Sequence, residues 1–400
     1  MSRYNRKIKV LRIINRFNIG GPTYNATFLT AFLSDDFETM LVGGMPEEGE
    51  SDSLYILEKY NVTPVLMSEM VRKPGFKNDR AAYKRIKEII REFKPDIVHT
   101  HASKAGALGR KAAQSCGVPI ILHTFHGHVF HSYFGKVKTT LFKQIEKRLA
   151  RKSDAIVAIS AIQKEELSKI HKICNADKMK VIPLGFDLQI FKEKKETVRA
   201  KVRTEFNIAS DEIAIAIIGR LAPVKNHAFF LDVIEEVLAR THKKIKCFIV
   251  GDGTEREWIE DRVNQLNKKH PNSIEMTSWI KDVASFNAGM DVICLTSKNE
   301  GTPVSLIEAQ ASGVPVITTN VGGVKDIILE GETGFVVEAD DKEMFIKKLI
   351  ELIEDENKRL KMSQNGWSHV EEKFHYTTLV KNMTKLYHDL IELKKNELDV

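Results

Sequence analysis

Asp291-Val-Ile-Cys-Leu-Thr-Ser-Lys-Asn-Glu-Gly-Thr-Pro-Val-Ser-Leu-Ile-Glu-Ala-Gln-Ala-Ser-Gly-Val-Pro-Val-Ile-Thr318 is the stretch from which the fold can be read. Its apolar run up to Thr296 reads as a buried strand, and a polar loop follows. Thr302 is the predicted N-cap and Pro303 fits the first helical turn, where a missing N–H costs nothing. A helix over Val304–Ser312 then leads to a second strand at Val316–Thr318. Glu300 falls at the mouth of that helix and Glu308 about two turns in. Free N–H groups and the positive dipole end would face whatever lies above the strand. A ligand with phosphate in one part and hydroxyls at both ends suits that arrangement.

The same alternation runs outward in both directions. Ile8–Ile14 reads as a first buried strand, followed by a Gly20-Gly21-Pro22 turn and a helix over Thr23–Leu33. Strands are predicted at Glu38–Val42, Thr63–Met67, Asp96–Thr100, Pro119–Thr124, Ala155–Ser160 and Met179–Pro183, with helices at Asp79–Phe93, Lys104–Cys116 and Val137–Lys152. The charged stretch Phe191–Glu205 lacks a strong apolar face, and a domain boundary is placed just before it. A second series has strands at Ile213–Ile218, Lys246–Val250, Ile274–Thr277, Val292–Thr296, Val316–Thr318 and Gly334–Val337. Its helices are His227–Ala239, Glu255–Lys268 and Val304–Ser312, and the chain ends in Lys342–Ile353 and Tyr376–Leu393. Such alternation predicts α/β architecture with parallel sheets covered on both faces. The predicted domains are 1–188, 189–375, and a helix at 376–400 that returns to the first. Two doubly wound, Rossmann-like domains facing an interdomain cleft put both sets of carboxyl strand ends at that cleft.

Composition narrows the classes. Four hundred residues are enough for two or three domains with full cores. The basic start, Arg3 to Lys9, is followed by apolar stretches too short for a signal peptide, and no run is long enough to cross a bilayer. The four cysteines, Cys116, Cys174, Cys247 and Cys294, are widely spaced and read as reduced thiols. Residues 1–190 hold 31 Lys/Arg and 19 Asp/Glu, near +12, against +7 for the whole chain. An excess of that sign fits an anionic membrane surface or a phosphorylated substrate. Nucleic acid is disfavoured, because no recognition helix, paired stacking aromatics or zinc module accompanies the charge.

Residues suited to chemistry lie at strand ends. In Gly219-Arg-Leu-Ala-Pro-Val-Lys225, an Arg fork and a Lys point charge leave a buried strand together and can neutralise a pyrophosphate, or form salt bridges with neighbours. Val250-Gly-Asp-Gly253 ends another strand, with glycines for a tight turn or a close backbone approach. It is not a dinucleotide fingerprint, and no P-loop motif is present. Gly20 and Gly21 form a strand-to-helix turn whose backbone can face the cleft. Six of the thirteen histidines lie at His99, His101, His123, His126, His128 and His131. Their spacing matches no zinc motif, and no metal is expected. His126, after a strand and before Gly127, is the best placed to reach the cleft. The aromatic and basic stretch Val129–Lys143 reads either as a surface for a membrane or lipid phosphate, or as a helix with Phe134, Leu141 and Phe142 in the core.

Taken together, these motifs resemble the retaining glycosyltransferases of family 4, with the GT-B fold, and in particular the branch that builds bacterial surface polysaccharides. The resemblance rests on Gly20-Gly21, His123-Thr-Phe-His-Gly-His128, Ala158-Ile-Ser160, Ile182–Asp187, Gly219-Arg220 with Lys225-Asn226, the Glu300/Glu308 pair, Gly313–Ile317 and Val321-Gly-Gly323. It implies a hexosyltransferase-type enzyme moving a sugar from a nucleotide diphosphate, UDP being expected, to a lipid-linked or glycan acceptor. Arg220 and Lys225 would grip the diphosphate with N–H groups from Gly301, Thr302, Pro303 and Val304, although Pro303 itself has none to give. Glu308 would hold the ribose, Glu300 the transferred sugar, and His126 the donor sugar near the reacting centre, with Gly20 and Gly21 on the donor side. No cofactor or metal is implied, and the location is the cytoplasm or the inner face of the membrane. Pro22 follows the glycines directly, where the family often has a longer or more acidic loop. The alternatives are an epimerase or phosphorylase on the same scaffold, or a non-catalytic module that binds anionic surfaces.

Overall fold

The computed structural model describes residues 6–18, 20–45, 53–71, 75–127, 136–193 and 195–398. They fall into two compact units, Met1–Phe186 with Phe374–Val400, and Asp187–Lys373.

The first unit is built on β1 (Ile8–Arg16), β2 (Phe37–Gly44), β3 (Val65–Leu66), β4 (Ile97–His101), β5 (Ile120–Phe125), β6 (Ala155–Ala158) and β7 (Met179–Val181). These pair in parallel in the order β3-β2-β1-β4-β5-β6-β7. Side chains alternate across the sheet, so neighbours on one strand enter different cores. Val10 packs with Phe28, Leu29, Leu386 and Leu390, beneath the helices Gly21–Ala31 and Tyr376–Leu398. Leu11 and Ile13 pack on the other face with Ile86, Ile89 and Ala112 from the helices Phe76–Phe93 and Ser103–Ser115. Both faces being covered explains why the strands read as apolar runs. Gly185 lets the last helix approach: a Cβ there would sit 2.7 Å from Tyr376 Cα.

The second unit contains β8 (Glu212–Ile218), β9 (Lys244–Val250), β10 (Ile274–Thr277), β11 (Val292–Leu295), β12 (Val316–Thr319) and β13 (Gly334–Val337). They are parallel in the order β10-β9-β8-β11-β12-β13. Strand order reverses direction between β1 and β4 in the first unit and between β8 and β11 in the second. At such points neighbouring loops diverge and leave room for a ligand.

Every predicted strand is present; Ile274–Thr277 and Gly334–Val337 have the predicted bounds, and the others have one or both ends moved by a residue or more. The stretch after Phe191 differs in character: it belongs to helices Gln189–Glu193 and Lys195–Glu205. Ion pairs help to anchor the second of these, where Arg199 and Arg203 meet Asp291 at 2.6 and 3.1 Å, and Val202 packs against Gly289. A helix at Glu356–Phe374 was not anticipated either. Leu141, read as a core candidate, is 61% exposed, whereas Phe142 packs on a buried cluster; Phe134 and the rest of 128–135 lie outside the described residues. Among the described residues no helix is long and apolar enough to cross a membrane.

Candidate functional site

The switch point of the second unit gathers most of the predicted donor residues. Gly219 and Arg220 follow β8, and their loop lies against the turn after β9, with Leu221 N–H donating to Asp252 O at 2.9 Å. The glycines of Gly251-Asp-Gly253 serve this contact: a Cβ on Gly251 would fall 1.9 Å from Gly219 O, and one on Gly253 2.3 Å from Leu221 O. They admit protein backbone. Arg220 is exposed and has no hydrogen bond or ion pair among the described residues. Lys225 lies across Gly219, its Cε 3.4 Å from where a Cβ would stand.

Lys225 and Glu300 meet directly. Lys225 Nζ is 2.6 Å from Glu300 Oε1, and Ser297 Oγ donates to the same oxygen at 2.5 Å. Two donors on one oxygen fix the carboxylate and leave Oε2 to accept other hydroxyls. The backbone holds these loops together as well. Thr296 Oγ1 donates to the carbonyls of Lys225 and Asn226, Lys298 N–H to Val224 O, and Thr319 Oγ1 to Ser297 O. Beneath Glu300, Gly322 has a left-handed φ of 51°, and a Cβ on it would lie 1.7 Å from Glu300 O. A Cβ on Gly323 would likewise fall 2.2 Å from Gly301 O. Only glycines allow that approach.

The helix that follows corrects the sequence reading. Thr302 is not its cap: the cap position is Pro303, whose ψ of 100° is extended, with no side-chain capping bond. The helix is Val304–Ala311, so Glu308 lies about one turn in, not two. Its carboxyl is mostly covered, and burial raises its pKa from 4.5 to about 7.

The first unit brings a second group together. Gly21 opens the helix after β1, with Pro22 in its first turn and Thr23 N–H donating to Gly20 O at 3.1 Å. Two strands away, His126 follows β5 and is half-buried. Its Nε2 is 2.9 Å from Nδ1 of His101, which ends β4. His99 lies on the same face, its ring 4.2 Å from that of His101, as strand alternation requires. His99 bonds Tyr387 Oη through Nδ1 and Thr124 Oγ1 through Nε2, both at 2.7 Å. Burial lowers the pKa of all these rings, that of His126 to about 3, and the nearby Arg12 cation pushes His99 and His101 further down. All three are therefore neutral at ordinary pH. His123 points to the opposite face, bonded to Thr100 Oγ1 at 2.9 Å over Gly106. Among the described residues no three His, Cys, Asp or Glu side chains are grouped to hold a metal.

Lys225 and Glu300 are thus in direct contact, with Arg220 in the loop that carries Lys225 and with Gly301 and the helix of Glu308 following Glu300 along the chain, while His126, Gly20 and Gly21 lie at strand ends of the other unit. Sequence reasoning missed Ser297, Arg12 and Tyr387, and gave His101 no role of its own although strand alternation already put it on one face with His99; nothing in the sequence pointed to Tyr387.

Comparison with known proteins identifies the family and the fold. Residues 198–369 match the family described as Glycosyl transferases group 1, and residues 20–190 match Glycosyltransferase Family 4. The UDP-Gal:alpha-D-GlcNAc-diphosphoundecaprenol alpha-1,3-galactosyltransferase of Escherichia coli is 29% identical over 76% of this chain and 78% of its own length. The capsular polysaccharide biosynthesis glycosyltransferase CapM of Staphylococcus aureus is 27% identical over 81% and 86%. Among solved structures, a glycosyltransferase from Rickettsia africae superposes with a TM-score of 0.80 at 21% identity, covering 97% of this chain and 99% of that one. Anabaena Alr3699/HepE in complex with UDP also gives 0.80, at 17% identity over 96% and 100%. The chain belongs to glycosyltransferase family 4 and is a glycosyltransferase of the GT-B fold.

Proposed function

We propose that this enzyme transfers a hexose from a UDP-sugar, with retention of configuration and without a divalent metal, to a lipid-linked or glycan acceptor in surface-polysaccharide assembly. The observation that carries the reading is the Lys225–Glu300 contact at the β8/β11 switch point, beside the unpaired Arg220. Two cations there stabilise the charge that develops on the leaving diphosphate, the task a metal ion performs elsewhere. Glu300 Oε2 accepts hydroxyls of the transferred sugar, Glu308 holds the ribose, and the N–H groups of Gly301, Thr302 and Val304 bind phosphate oxygens. Pro303 has no N–H and sets the turn instead. His126 contacts the donor sugar near its reacting carbon. In the transfer, the bond from the anomeric carbon to the diphosphate oxygen breaks and a bond to the acceptor oxygen forms on the same face. The acceptor proton passes to the departing phosphate. Positioning and charge stabilisation provide the acceleration, so the two glutamates are not an acid–base couple.

The acceptor class is supported by the relatives, one named for an undecaprenol-diphosphate-linked substrate and another for capsular polysaccharide. The basic first half suits work at an anionic membrane surface. The test is a panel of UDP-, GDP- and ADP-sugars, read by thermal shift and slow donor hydrolysis, with and without EDTA. Stabilisation by UDP-sugars, turnover that survives EDTA and loss of turnover in Glu300→Ala are expected. An equal response to all nucleotides, or full turnover in Glu300→Ala, overturns the reading.

A further inference from the structure

The first unit contains a buried polar assembly that the proposed chemistry does not use. Arg12 is fully buried in β1 and has no carboxylate partner among the described residues. Its guanidinium donates to Thr30 Oγ1 at 3.3 Å and to Tyr387 Oη at 3.4 Å. Arginine is donor-only, so the Tyr387 oxygen accepts and its one proton is directed to His99 Nδ1. Burial raises the Tyr387 pKa, so this proton is retained. His99 must then carry its own proton on Nε2 and donate it to Thr124 Oγ1. The direction of the chain is fixed from Arg12 to Thr124, and with it the orientation of the His99 ring.

His101 packs against that fixed ring, tilted 33° to it, and is itself fully buried. The cross-strand contact His99–Thr124 is repeated two residues on as His101–His126, in the same parallel register in which Thr100 faces His123 and His101 faces Thr124. The difference between these two rungs is their exposure. The first is sealed in the core; the second ends on His126, a half-buried residue whose Nδ1 is covered yet has no hydrogen-bond partner among the described residues. Both rings of the second rung are neutral, so each has a single N–H. An N–H···N bond between them ties the two tautomers together: whichever ring donates leaves its other nitrogen bare, and the acceptor ring carries its proton on the far side. Neither His101 Nε2 nor His126 Nδ1 has another partner among the described residues.

We propose that His101 is a positioning residue for His126, holding its ring through the Nδ1–Nε2 hydrogen bond and setting whether its remaining nitrogen, Nδ1, carries a proton to donate or is left bare to accept one. Arg12, Tyr387, His99 and Thr124 form the rigid backing against which His101 is packed. The inference rests on the proposed role of His126, and the experiment separates the two.

Asparagine places a polar group where histidine has Nδ1, whereas glutamine reaches the Nε2 position. His101→Asn, His101→Gln, His101→Leu, His126→Ala and the double variant are compared in the full-length enzyme, with UDP-galactose, UDP-glucose and UDP-N-acetylglucosamine as donors. In parallel, ring ¹⁵N shifts of labelled histidine report the tautomer of His126 without any donor. His101→Leu and His101→Gln are expected to lower kcat about 10–100-fold, as a misplaced group does, with donor KM little changed. His101→Asn restores most of the activity, and His101→Leu added to His126→Ala costs nothing further. His126 is expected to hold one tautomer in the wild type and to average two in His101→Gln. If His126→Ala is inactive while all His101 variants keep wild-type kcat, the positioning role is wrong and the His126 reading stands. If His126→Ala keeps full kcat, the His126 reading fails, and the shifts alone then decide whether His101 sets its tautomer. An unchanged His126 tautomer in His101→Gln overturns the inference in every case.

Discussion

Glu308 stores free energy against folding, and its removal should make the enzyme more stable and less able to bind nucleotide. Burial raises its pKa from 4.5 to about 7. A folded pKa above the unfolded one means that this group favours the folded state at low pH. That contribution is complete below about pH 4.5 and is lost as pH rises through 7. At about 1.4 kcal/mol per pH unit, the shift corresponds to roughly 3 kcal/mol of lost stability by pH 8. Glu308→Gln keeps the shape and removes the charge. Its advantage over the wild type should therefore be roughly 3 kcal/mol larger at pH 8 than at pH 4.5. For a domain of 150–250 residues this is on the order of 5–10 °C in Tm, read by calorimetry of the second unit's transition in the intact enzyme. Binding should move in the opposite direction. An ionised acceptor strengthens a hydrogen bond to about 1.5–3 kcal/mol, so Glu308→Gln should weaken UDP roughly 10–150-fold at pH 8 and only a few-fold at pH 6. Calorimetric titration with UDP at both pH values measures this, the variant cancelling the phosphate's own titration. A Tm difference that does not change with pH, or UDP affinities that fall equally at pH 6 and pH 8, would refute the argument.

Gly322→Ala should lower Tm and abolish donor hydrolysis, since a left-handed φ of 51° costs roughly 1–2 kcal/mol in alanine before the contact with Glu300 O is counted. Gly301→Ala is the matched control: nothing lies within 4 Å of its Cβ, so its stability should stay within about 0.5 kcal/mol of the wild type. Ser297→Ala leaves Lys225 on Glu300 but frees the carboxylate to rotate, and should lower kcat about 10-fold with UDP affinity unchanged. Tyr387→Phe leaves His99 Nδ1 without its partner and Arg12 with Thr30 alone, and should cost about 1–3 kcal/mol in urea unfolding of the first unit; wild-type stability would show that the hydroxyl contributes nothing.

Much of this was legible locally. The strands are runs of Val, Ile and Leu because both sheet faces are covered, and that pattern survives in a bare sequence. Gly219-Arg220, Lys225 and Glu300 were recognisable because each lies in the segment that leads out of a buried strand. The helix Lys195–Glu205 was harder to see, since its anchor is Asp291, far along the chain, and an ion-pair anchor leaves little apolar periodicity. Thr302 was misread as a cap because cap residues are recognised by type, whereas the extended ψ of Pro303 decides where the helix begins.

The sequence alone therefore determined the two alternating series, the approximate ends of their strands and the residue types at those ends, since these follow from short-range periodicity and turn chemistry. Tertiary structure decided which loops meet. Lys225 reaches Glu300 across 75 residues only because β8 and β11 are neighbours at a point where strand order reverses. Tyr387 reaches His99 across 288 residues only because the last helix packs on the first sheet. The pKa of Glu308 is likewise a property of its surroundings: desolvation depends on what covers a carboxyl, and no local pattern encodes that.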